Sequence, residues 1–288
     1  MTRLSSQADN DGFNRGYERL RAQNFEKRAP GDLKEGFFLG RHLPLDDPDV
    51  QAGQFGQGPN KYPAEVTDPL RFRDTVDRYY GAVLHLAGNL MTVMAEMVGL
   101  DPDALHRFCD RPIATLRLLH YPPQPPDASE LERGVYHLPR FRIRRYVKLS
   151  LWLGIGAHSD FGAITILLQD SIGGLQVWNR ASHVWVDVVP VPGAVVVNTG
   201  NLLMRWTNDR YIANLHRVIN RSGQDRYSVP FFFDGNADFL VKCLESCQEP
   251  GQGAKYGPIT VQDWMVGRYA DTFGDDEANG AKDPVNFQ

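Results

Sequence analysis

Two different spacings of apolar residues divide the chain, and the earlier one predicts helices. Over residues 68–99 the apolar residues recur at intervals of three and four, which is the period of one long amphipathic helix. Asp68 and Pro69 suit its first turn, as an N-cap residue followed by a proline, and Gly99 suits its end. A short second helix is predicted over 101–109.

The segment before the long helix has no clear period. Residues 13–28 predict a charged helix, whereas residues 31–63 carry many turn signals and predict an irregular covering segment. We therefore divide the chain into an N-terminal helical and irregular region over 1–112, a main domain over 113–273 and a flexible tail over 274–288.

The second spacing, from residue 113 onward, is that of β-strands. Residues 113–121 predict a strand that ends at PPQPP, and short runs rich in valine, isoleucine and aromatic residues follow after residue 155. These runs are ITILLQD, GGLQVWN, WVDVVPV, GAVVVNTG, HRVINR and RYSVPFFFD. Their intervals favour a sandwich or barrel over βαβ units. With a C-terminal helix capped by Thr260, the predicted fold class is α+β and mainly β.

The overall composition excludes several classes of protein. The chain has 288 residues, 42% of them hydrophobic, and a net charge of −4, so a clustered basic surface for nucleic acid or an anionic membrane is not expected. Its three cysteines form no disulfide framework and no zinc-type CxxC motif. It has no apolar run of membrane-spanning length and no secretory signal. A soluble, cytoplasmic monomer is the expectation.

Residues 154–170, GIGAHSDFGAITILLQD, place two metal-binding side chains in an otherwise small and apolar run. On a strand, His158 and Asp160 point to the same face, and Ser159 points away. His216, on a separate predicted strand, is the best third ligand, while His183 is expected at the surface. Two imidazoles and one carboxylate leave open positions on a metal, the arrangement suited to non-haem Fe(II) and O₂ chemistry. The HxD pair alone is weak evidence.

A second polar pair strengthens this interpretation. Arg226 and Ser228 lie two apart on a predicted strand, ten residues after His216. A guanidinium and a hydroxyl together can hold a carboxylate, so a small dicarboxylic acid is a natural partner. The alternative is a solvent-facing arginine on an edge strand.

The combination of HxD, a histidine 56 residues later, RxS ten residues after that, and GGLQVW between them is specific. With these motifs the chain resembles the 2-oxoglutarate/Fe(II)-dependent dioxygenase superfamily, in particular its isopenicillin N synthase-like branch. The resemblance runs from about residue 13 to residue 273 and is strongest over 154–234. It implies a double-stranded β-helix (jelly-roll) core with flanking helices.

The resemblance also implies roles for individual residues. The metal ligands would be His158, Asp160 and His216, and the residues that bind 2-oxoglutarate would be Arg226, Ser228 and Tyr121. Leu119 stands where the family often has an asparagine, which puts that contact with the cosubstrate in doubt. Asn198 and Asn201 match a loop motif that we interpret as structural.

The implied reaction is oxidative decarboxylation of 2-oxoglutarate to succinate and CO₂, with Fe(II) and O₂ and with ascorbate as a supporting reductant. Hydroxylation, desaturation or ring closure of a small specialised metabolite would follow. A dry apolar shell should surround the iron. Its candidates are Phe161, Ile164, Leu168, Phe231 and Phe233.

Two departures from the family pattern stand out. Relatives usually begin with an additional stretch that contributes strands to the core sheet, and its loss from this chain would leave an unpaired sheet edge. Residues 135–153 form an insert with five Lys or Arg and no acidic residue. Either it is a translated, unspliced intron, or it is a basic lid loop over the site. Transcripts that join Gly134 directly to Gly154 would support the intron, and their absence would exclude it.

Three alternatives to a 2-oxoglutarate-dependent oxygenase share some or all of these features. An oxidase of the isopenicillin N synthase type would use iron without 2-oxoglutarate, and only succinate production distinguishes the two enzymes. An inactive, truncated paralogue would keep the motifs without the activity. A zinc hydrolase is disfavoured, because no general base such as the glutamate of HExxH accompanies the ligands.

Overall fold

The computed structural model describes residues 13–23, 31–123, 154–251 and 253–273. The insert 135–153 and the tail 274–288 therefore lie outside the described residues. The strands are β1 (Gly16–Glu18), β2 (Glu35–Gly40), β3 (Pro112–Tyr121), β4 (Ile155–His158), β5 (Ile164–Gln169), β6 (Leu175–Asn179), β7 (Val184–Asp187), β8 (Val196–Thr199), β9 (His216–Val218), β10 (Arg226–Asn236), β11 (Leu240–Val241) and β12 (Ile259–Thr260). The α-helices are α1 (Pro48–Gln51), α2 (Pro69–Met97), α3 (His106–Cys109), α4 (Asn201–Trp206) and α5 (Val261–Phe273). Short 3₁₀ turns cover Pro102–Leu105 and Glu245–Cys247.

Two antiparallel sheets form the centre of the molecule. The larger has the strand order β1-β2-β3-β10-β5-β8, and the smaller has the order β4-β9-β6-β7. From β3 to β10 the chain repeatedly crosses between the two sheets, which is the jelly-roll arrangement. Residues from both sheets line one cavity between them. The prediction of a jelly-roll core with flanking helices is confirmed.

The long helix α2 covers the outer face of the larger sheet. Asp68 accepts a hydrogen bond from the backbone N–H of Arg71 at 3.0 Å, and Gly99 follows the helix with φ +76°. The buried positions of α2 are Val76, Val83, Ala87, Met91 and Ala95. Full burial of a side chain such as Met91 contributes on the order of 1.5–3 kcal/mol to stability. Among the helices of the described segments, none combines the length and the apolar character needed to cross a membrane.

The N-terminal region contains strands that its sequence did not predict. The charged helix expected over 13–28 is wrong for its described part, where β1 pairs with β2. Within the segment expected to be irregular, β2 pairs with β3. Both strands are short, and their pairing partners are distant in the sequence, so local periodicity carries little signal for them. The proposed domain division at residue 112 stays a prediction.

The two faces of β10 point in different directions. Phe231 and Phe233 lie in the core under α2, where Phe231 makes an edge contact with Tyr80 at 5.3 Å between ring centroids. Phe232, between them, points to the cavity between the sheets. Since alternate residues of a strand point to opposite faces, Ser228, Pro230 and Phe232 share the cavity side.

The C-terminal helix α5 is held against the loop that follows β4. Thr260 accepts a hydrogen bond from the backbone N–H of Asp263 at 3.1 Å, which confirms the predicted cap. One turn further, the indole N–H of Trp264 donates to the carbonyl oxygen of Phe161 at 2.8 Å. This contact places α5 beside the residue that follows Asp160.

His120 connects three segments through two carboxylates. Its Nδ1 lies 2.8 Å from Glu35 and its Nε2 lies 2.8 Å from Asp225, while its ring stacks on Tyr227. Burial alone would lower the pKa of His120, but the hydrogen bonds and charges of Asp225 and Glu35 raise it overall. A pKa that is higher in the folded state stabilises the protein below the unfolded pKa, and this contribution is lost as the pH rises through the folded value.

We therefore expect the replacement His120→Gln to destabilise the protein more at about pH 5.5 than at about pH 8.5. Urea unfolding at the two pH values measures it. His183→Gln, at an exposed position, is measured alongside as the control. An equal cost of His120→Gln at both pH values would contradict the ionic role.

Candidate metal centre

The three predicted metal ligands converge at one point. In the antiparallel pairing of β4 with β9, His158 lies directly opposite His216. Asp160 follows two residues later, in the turn after β4. Its Oδ1 lies 3.7 Å from Nε2 of His158 and 3.6 Å from Nε2 of His216. One ligand atom from each residue lies within 4.8 Å of the other two.

Hydrogen bonds orient both imidazoles toward this point. Nδ1 of His158 lies 2.8 Å from the carbonyl oxygen of Gly156, and Nδ1 of His216 lies 3.0 Å from the carbonyl oxygen of Asn214. A carbonyl oxygen can only accept a hydrogen bond, so each Nδ1 carries the proton and each neutral ring directs the lone pair of its Nε2 toward the other ligands. This is the tautomer that a metal-binding histidine requires.

The second oxygen of Asp160 is held from the larger sheet. Its Oδ2 accepts hydrogen bonds from the hydroxyl of Thr165 at 2.6 Å and from the amide of Asn198 at 2.7 Å. Thr165 and Asn198 are directly opposite each other on β5 and β8. Asn198 thus contacts a predicted metal ligand directly, beyond the structural role expected for its loop motif, and no sequence motif points to Thr165. Because Thr165 and Asn198 both donate to Oδ2, the other oxygen of Asp160, Oδ1, remains directed at the point that it shares with the two histidines.

The buried charges fit a divalent cation. Burial and the neighbouring His216 lower the pKa of His158, so its ring is neutral near pH 7. Burial would raise the pKa of Asp160, but the two imidazoles and the hydrogen bonds from Thr165 and Asn198 lower it overall. The site thus offers two imidazole nitrogens and one carboxylate. This donor set is the one that suits Fe(II) with further positions open.

A second cluster contains Tyr121, Arg226 and Ser228. Arg226 pairs directly with Tyr121 across β10 and β3, and its guanidinium lies 4.8 Å from the centre of the Tyr121 ring. Burial raises the pKa of Tyr121, and the charge of Arg226 and a hydrogen bond with Ser228 oppose that rise. The structure therefore brings the three predicted residues together.

Arg226 is fully buried, and its strand lies inside the sheet, so the alternative of a solvent-facing arginine on an edge strand is wrong. Its Nε donates to the carbonyl oxygen of Gly173 at 2.6 Å, and its Nη2 donates to Gln169 at 3.3 Å. Its Nη1 is buried and has no hydrogen-bond partner among the described residues. An unpaired buried guanidinium N–H is costly, so this group is suited to receive an anionic ligand.

One cavity of about 150 Å³ connects the two clusters. Its apolar lining comes from Leu119, Ile155, Leu167, Leu175, Val177, Val196, Val218 and Phe232. The apolar shell predicted from the sequence is therefore wrong in its members. Ile164, Phe231 and Phe233 belong to the core against the helices, and Leu168 is 37% exposed. Phe161 packs at the edge of that same core.

Asp234 is a second buried carboxyl near the metal centre. Burial and the charge of Asp160 raise its pKa to about 7, and Arg117 opposes this rise. It lies against Gly162, where an added Cβ atom would collide with the Asp234 carboxyl oxygen. Asp234 is not part of the converging cluster, which makes it a useful reference for Asp160.

Comparison with known proteins gives a consistent result. Residues 112–235 match the family model of the 2OG-Fe(II) oxygenase superfamily. The 2-oxoglutarate-Fe(II) type oxidoreductase hxnY of Emericella nidulans is 45% identical over 268 residues, which cover 93% of this chain and 71% of the relative. The 2-oxoglutarate-dependent dioxygenase citB of Monascus ruber is 37% identical, with coverage of 94% and 76%.

Solved structures agree in fold. A full-length protein of Neurospora crassa, crystallised in complex with alpha-KG and 5-formyluracil, matches with a TM-score of 0.74 and 29% sequence identity. That match covers 93% of this chain and 76% of the Neurospora chain.

Proposed function

Because this chain belongs to the 2OG-Fe(II) oxygenase superfamily, we propose that His158, Asp160 and His216 bind its Fe(II) and that Tyr121, Arg226 and Ser228 bind 2-oxoglutarate. The protein is an Fe(II)- and 2-oxoglutarate-dependent oxygenase that acts on a small organic molecule. The position of each functional group in the cavity explains how the chain serves this reaction.

The main support for this proposal is that Oδ1 of Asp160 converges with the two histidine Nε2 atoms. Each of these atoms is aimed at the shared point because the other polar atom of its side chain is engaged elsewhere. Bound Fe(II), with 2-oxoglutarate and O₂, supplies the oxidising chemistry, which releases succinate and CO₂. The protein's part is to hold three ligands, leave the other positions open and keep the surroundings apolar.

The cluster of Arg226, Ser228 and Tyr121 orients the cosubstrate. Its guanidinium and hydroxyls suit one carboxylate of a dicarboxylic acid, and the cavity extends from this cluster to the metal ligands. With its distal carboxylate held there, the 2-oxo acid end of 2-oxoglutarate would extend along the cavity toward the three metal ligands. The apolar lining between the two clusters limits water, which strengthens the ionic contact with Arg226.

We further propose that the enzyme works as a cytoplasmic monomer, without a nucleic-acid or membrane partner. A net charge of −4 without a basic excess supports the absence of a polyanionic partner. Light scattering of the purified chain tests the monomer, and a constant dimer mass would exclude it.

The experiment that tests the proposed function is anaerobic titration of the protein with Fe(II) and 2-oxoglutarate. A visible charge-transfer band that needs both components is expected, followed on admission of air by succinate and CO₂ in equal amounts. Oxidation of a substrate without succinate would instead favour the oxidase of the isopenicillin N synthase type. Folded protein that gives neither the band nor succinate would contradict the proposal.

A further inference from the structure

A second buried arginine lies on the same face of β3 as Tyr121. Arg117 precedes Tyr121 by four residues, so both side chains point to the interior, about 13 Å apart along the strand. Tyr121 belongs to the cluster proposed to bind 2-oxoglutarate. Along β3, Arg117 therefore lies between Tyr121 and Thr115, and the row of Thr115 continues through Phe232 to Thr165, which contacts Asp160.

The surroundings of Arg117 cover the two faces of its guanidinium. Its Cζ atom lies 4.3 Å from the centre of the Phe38 ring and 5.0 Å from that of Phe232. Phe232 also lines the cavity that contains the metal ligands. Two aromatic contacts of this kind hold the guanidinium plane in a fixed orientation.

The edge of the Arg117 guanidinium is poorly paired. Its Nη2 donates to the hydroxyl of Tyr269 on α5 at 2.8 Å, and its Nε is buried without a hydrogen-bond partner. In the described part of the chain, no carboxylate lies within ion-pair distance of it. Arg117 is only 7% exposed, so a permanently charged group has a neutral hydroxyl as its main polar contact.

Two other buried cations of the chain have closer or more numerous polar partners than Arg117. Lys34 forms an ion pair with Glu18 at 2.7 Å. Arg15 donates to three backbone carbonyl oxygens, those of Phe13, Asn14 and Gly56. Arg117 has neither a close ion pair nor several backbone acceptors among the described residues, so its guanidinium can take a further anionic partner from outside the chain.

The neighbourhood of Arg117 also reaches the metal centre. Burial would lower the pKa of Arg117, but Tyr269, Glu18 and Asp160 raise it overall, so the carboxylate of the metal ligand is close enough to interact with it. Tyr269 itself contacts Phe161, the residue after Asp160, at 6.2 Å between ring centroids. Arg117 and Tyr269 thus lie near the metal centre, and on β3 Arg117 is four residues away from Tyr121, the strand partner of Arg226.

We propose that Arg117, oriented by Tyr269, binds a carboxylate of the molecule to be oxidised, so that the substrates of this enzyme are small organic acids. The inference rests on the proposed function, because it takes the metal centre as the place of oxidation. A carboxylate presents two acceptor oxygens in one plane, which matches the edge of a guanidinium whose faces are covered. The apolar body of the acid would lie against Phe232.

The test compares acids with their own primary amides. Benzoate, phenylacetate and hexanoate, each paired with its amide, are titrated by ligand-observed NMR into the full chain in the presence of excess 2-oxoglutarate. The proteins are the wild type, Arg117→Gln and Arg226→Gln. For at least one pair, the wild type should bind the acid about tenfold more tightly than the amide, as expected for a charge-assisted contact.

The two arginine variants separate this inference from the proposed function. Arg117→Gln should abolish the preference for the acid and keep 2-oxoglutarate binding. Arg226→Gln should weaken 2-oxoglutarate binding and keep the preference for the acid. No preference in the wild type, or a preference that survives Arg117→Gln, would overturn the inference, whatever happens to 2-oxoglutarate. A wild type that does not bind 2-oxoglutarate would refute the proposed function. The inference would still be tested separately, by comparing the acid preference of the wild type with that of Arg117→Gln.

Two milder variants keep the test decisive if Arg117→Gln fails to fold. Arg117→Lys retains the charge but loses the planar fork, so the acid preference should weaken and persist. Tyr269→Phe removes only the hydroxyl that orients Arg117, and the preference should fall by about threefold. Circular dichroism checks the fold of each variant. An unchanged preference in both would contradict the role of Arg117.

Discussion

The replacement Asp160→Asn is expected to remove Fe(II) binding and to abolish succinate formation. Asparagine has the same shape but no charge, and its amide nitrogen cannot ligate a cation. Thr165 and Asn198, which donate to Oδ2 at 2.6 Å and 2.7 Å, favour a carboxylate at this position. Since loss of a residue that only orients a ligand costs about 10–100-fold in metal affinity, loss of the ligand itself should cost more.

Anaerobic titration with Fe(II) measures this affinity directly, and succinate release measures the coupled reaction. Asp234→Asn is the matched control, because it removes another buried carboxyl close to the same turn. The pKa of Asp234 is raised to about 7, so this carboxyl is partly neutral already and its amide should be tolerated. Fe(II) binding that survives in Asp160→Asn, or that disappears equally in both variants, would exclude Asp160 as the specific carboxylate ligand.

The sequence predicts the elements of this fold wherever a period extends over many residues. The three-and-four spacing before Gly99 corresponds to α2, and the runs after residue 155 correspond to the strands of the jelly roll. The short strands β1 and β2 escape prediction, because three to six residues contain too little periodicity and their stability comes from pairing with β3.

The metal centre shows the same division between local and non-local information. His158 and Asp160 could be paired from a two-residue spacing, and His216 could be added because it lies on a separate predicted strand. Thr165 and Asn198 could not, since they meet Asp160 only through the register of β5 with β8. A sequence contains the residues of such a contact but not the register that brings them together.

The run Phe231–Phe233 illustrates a further limit. Three consecutive phenylalanines show no alternation, so their sequence does not say which one faces the cavity. The pairing of β10 with β3 decides it, because Phe231 lies opposite Leu116 and Phe232 lies opposite Thr115. The cavity therefore receives Phe232 alone, between the metal centre and Arg117.

The replacement Arg226→Gln is expected to weaken 2-oxoglutarate binding by about 10–100-fold while Fe(II) binding is retained. A charge-assisted contact contributes roughly 1.5–3 kcal/mol, and each 1.4 kcal/mol corresponds to a factor of ten. The Nη1 group that now lacks a partner is the one that would meet the distal carboxylate. Titration of the anaerobic Fe(II) protein with 2-oxoglutarate measures the effect, as does the apparent KM for 2-oxoglutarate.

Arg217→Gln distinguishes this effect from the general cost of removing a buried arginine. Arg217 is as buried as Arg226, but its Nε donates to Gln176 at 2.8 Å and its guanidinium lies over Trp185 at 4.1 Å. Its loss should lower the free energy of unfolding and leave the affinity for 2-oxoglutarate unchanged. If both variants weakened 2-oxoglutarate equally, the arginine on β10 would act through stability. If neither did, the distal carboxylate would have to bind elsewhere, and the assignment of 2-oxoglutarate to Arg226 would be wrong.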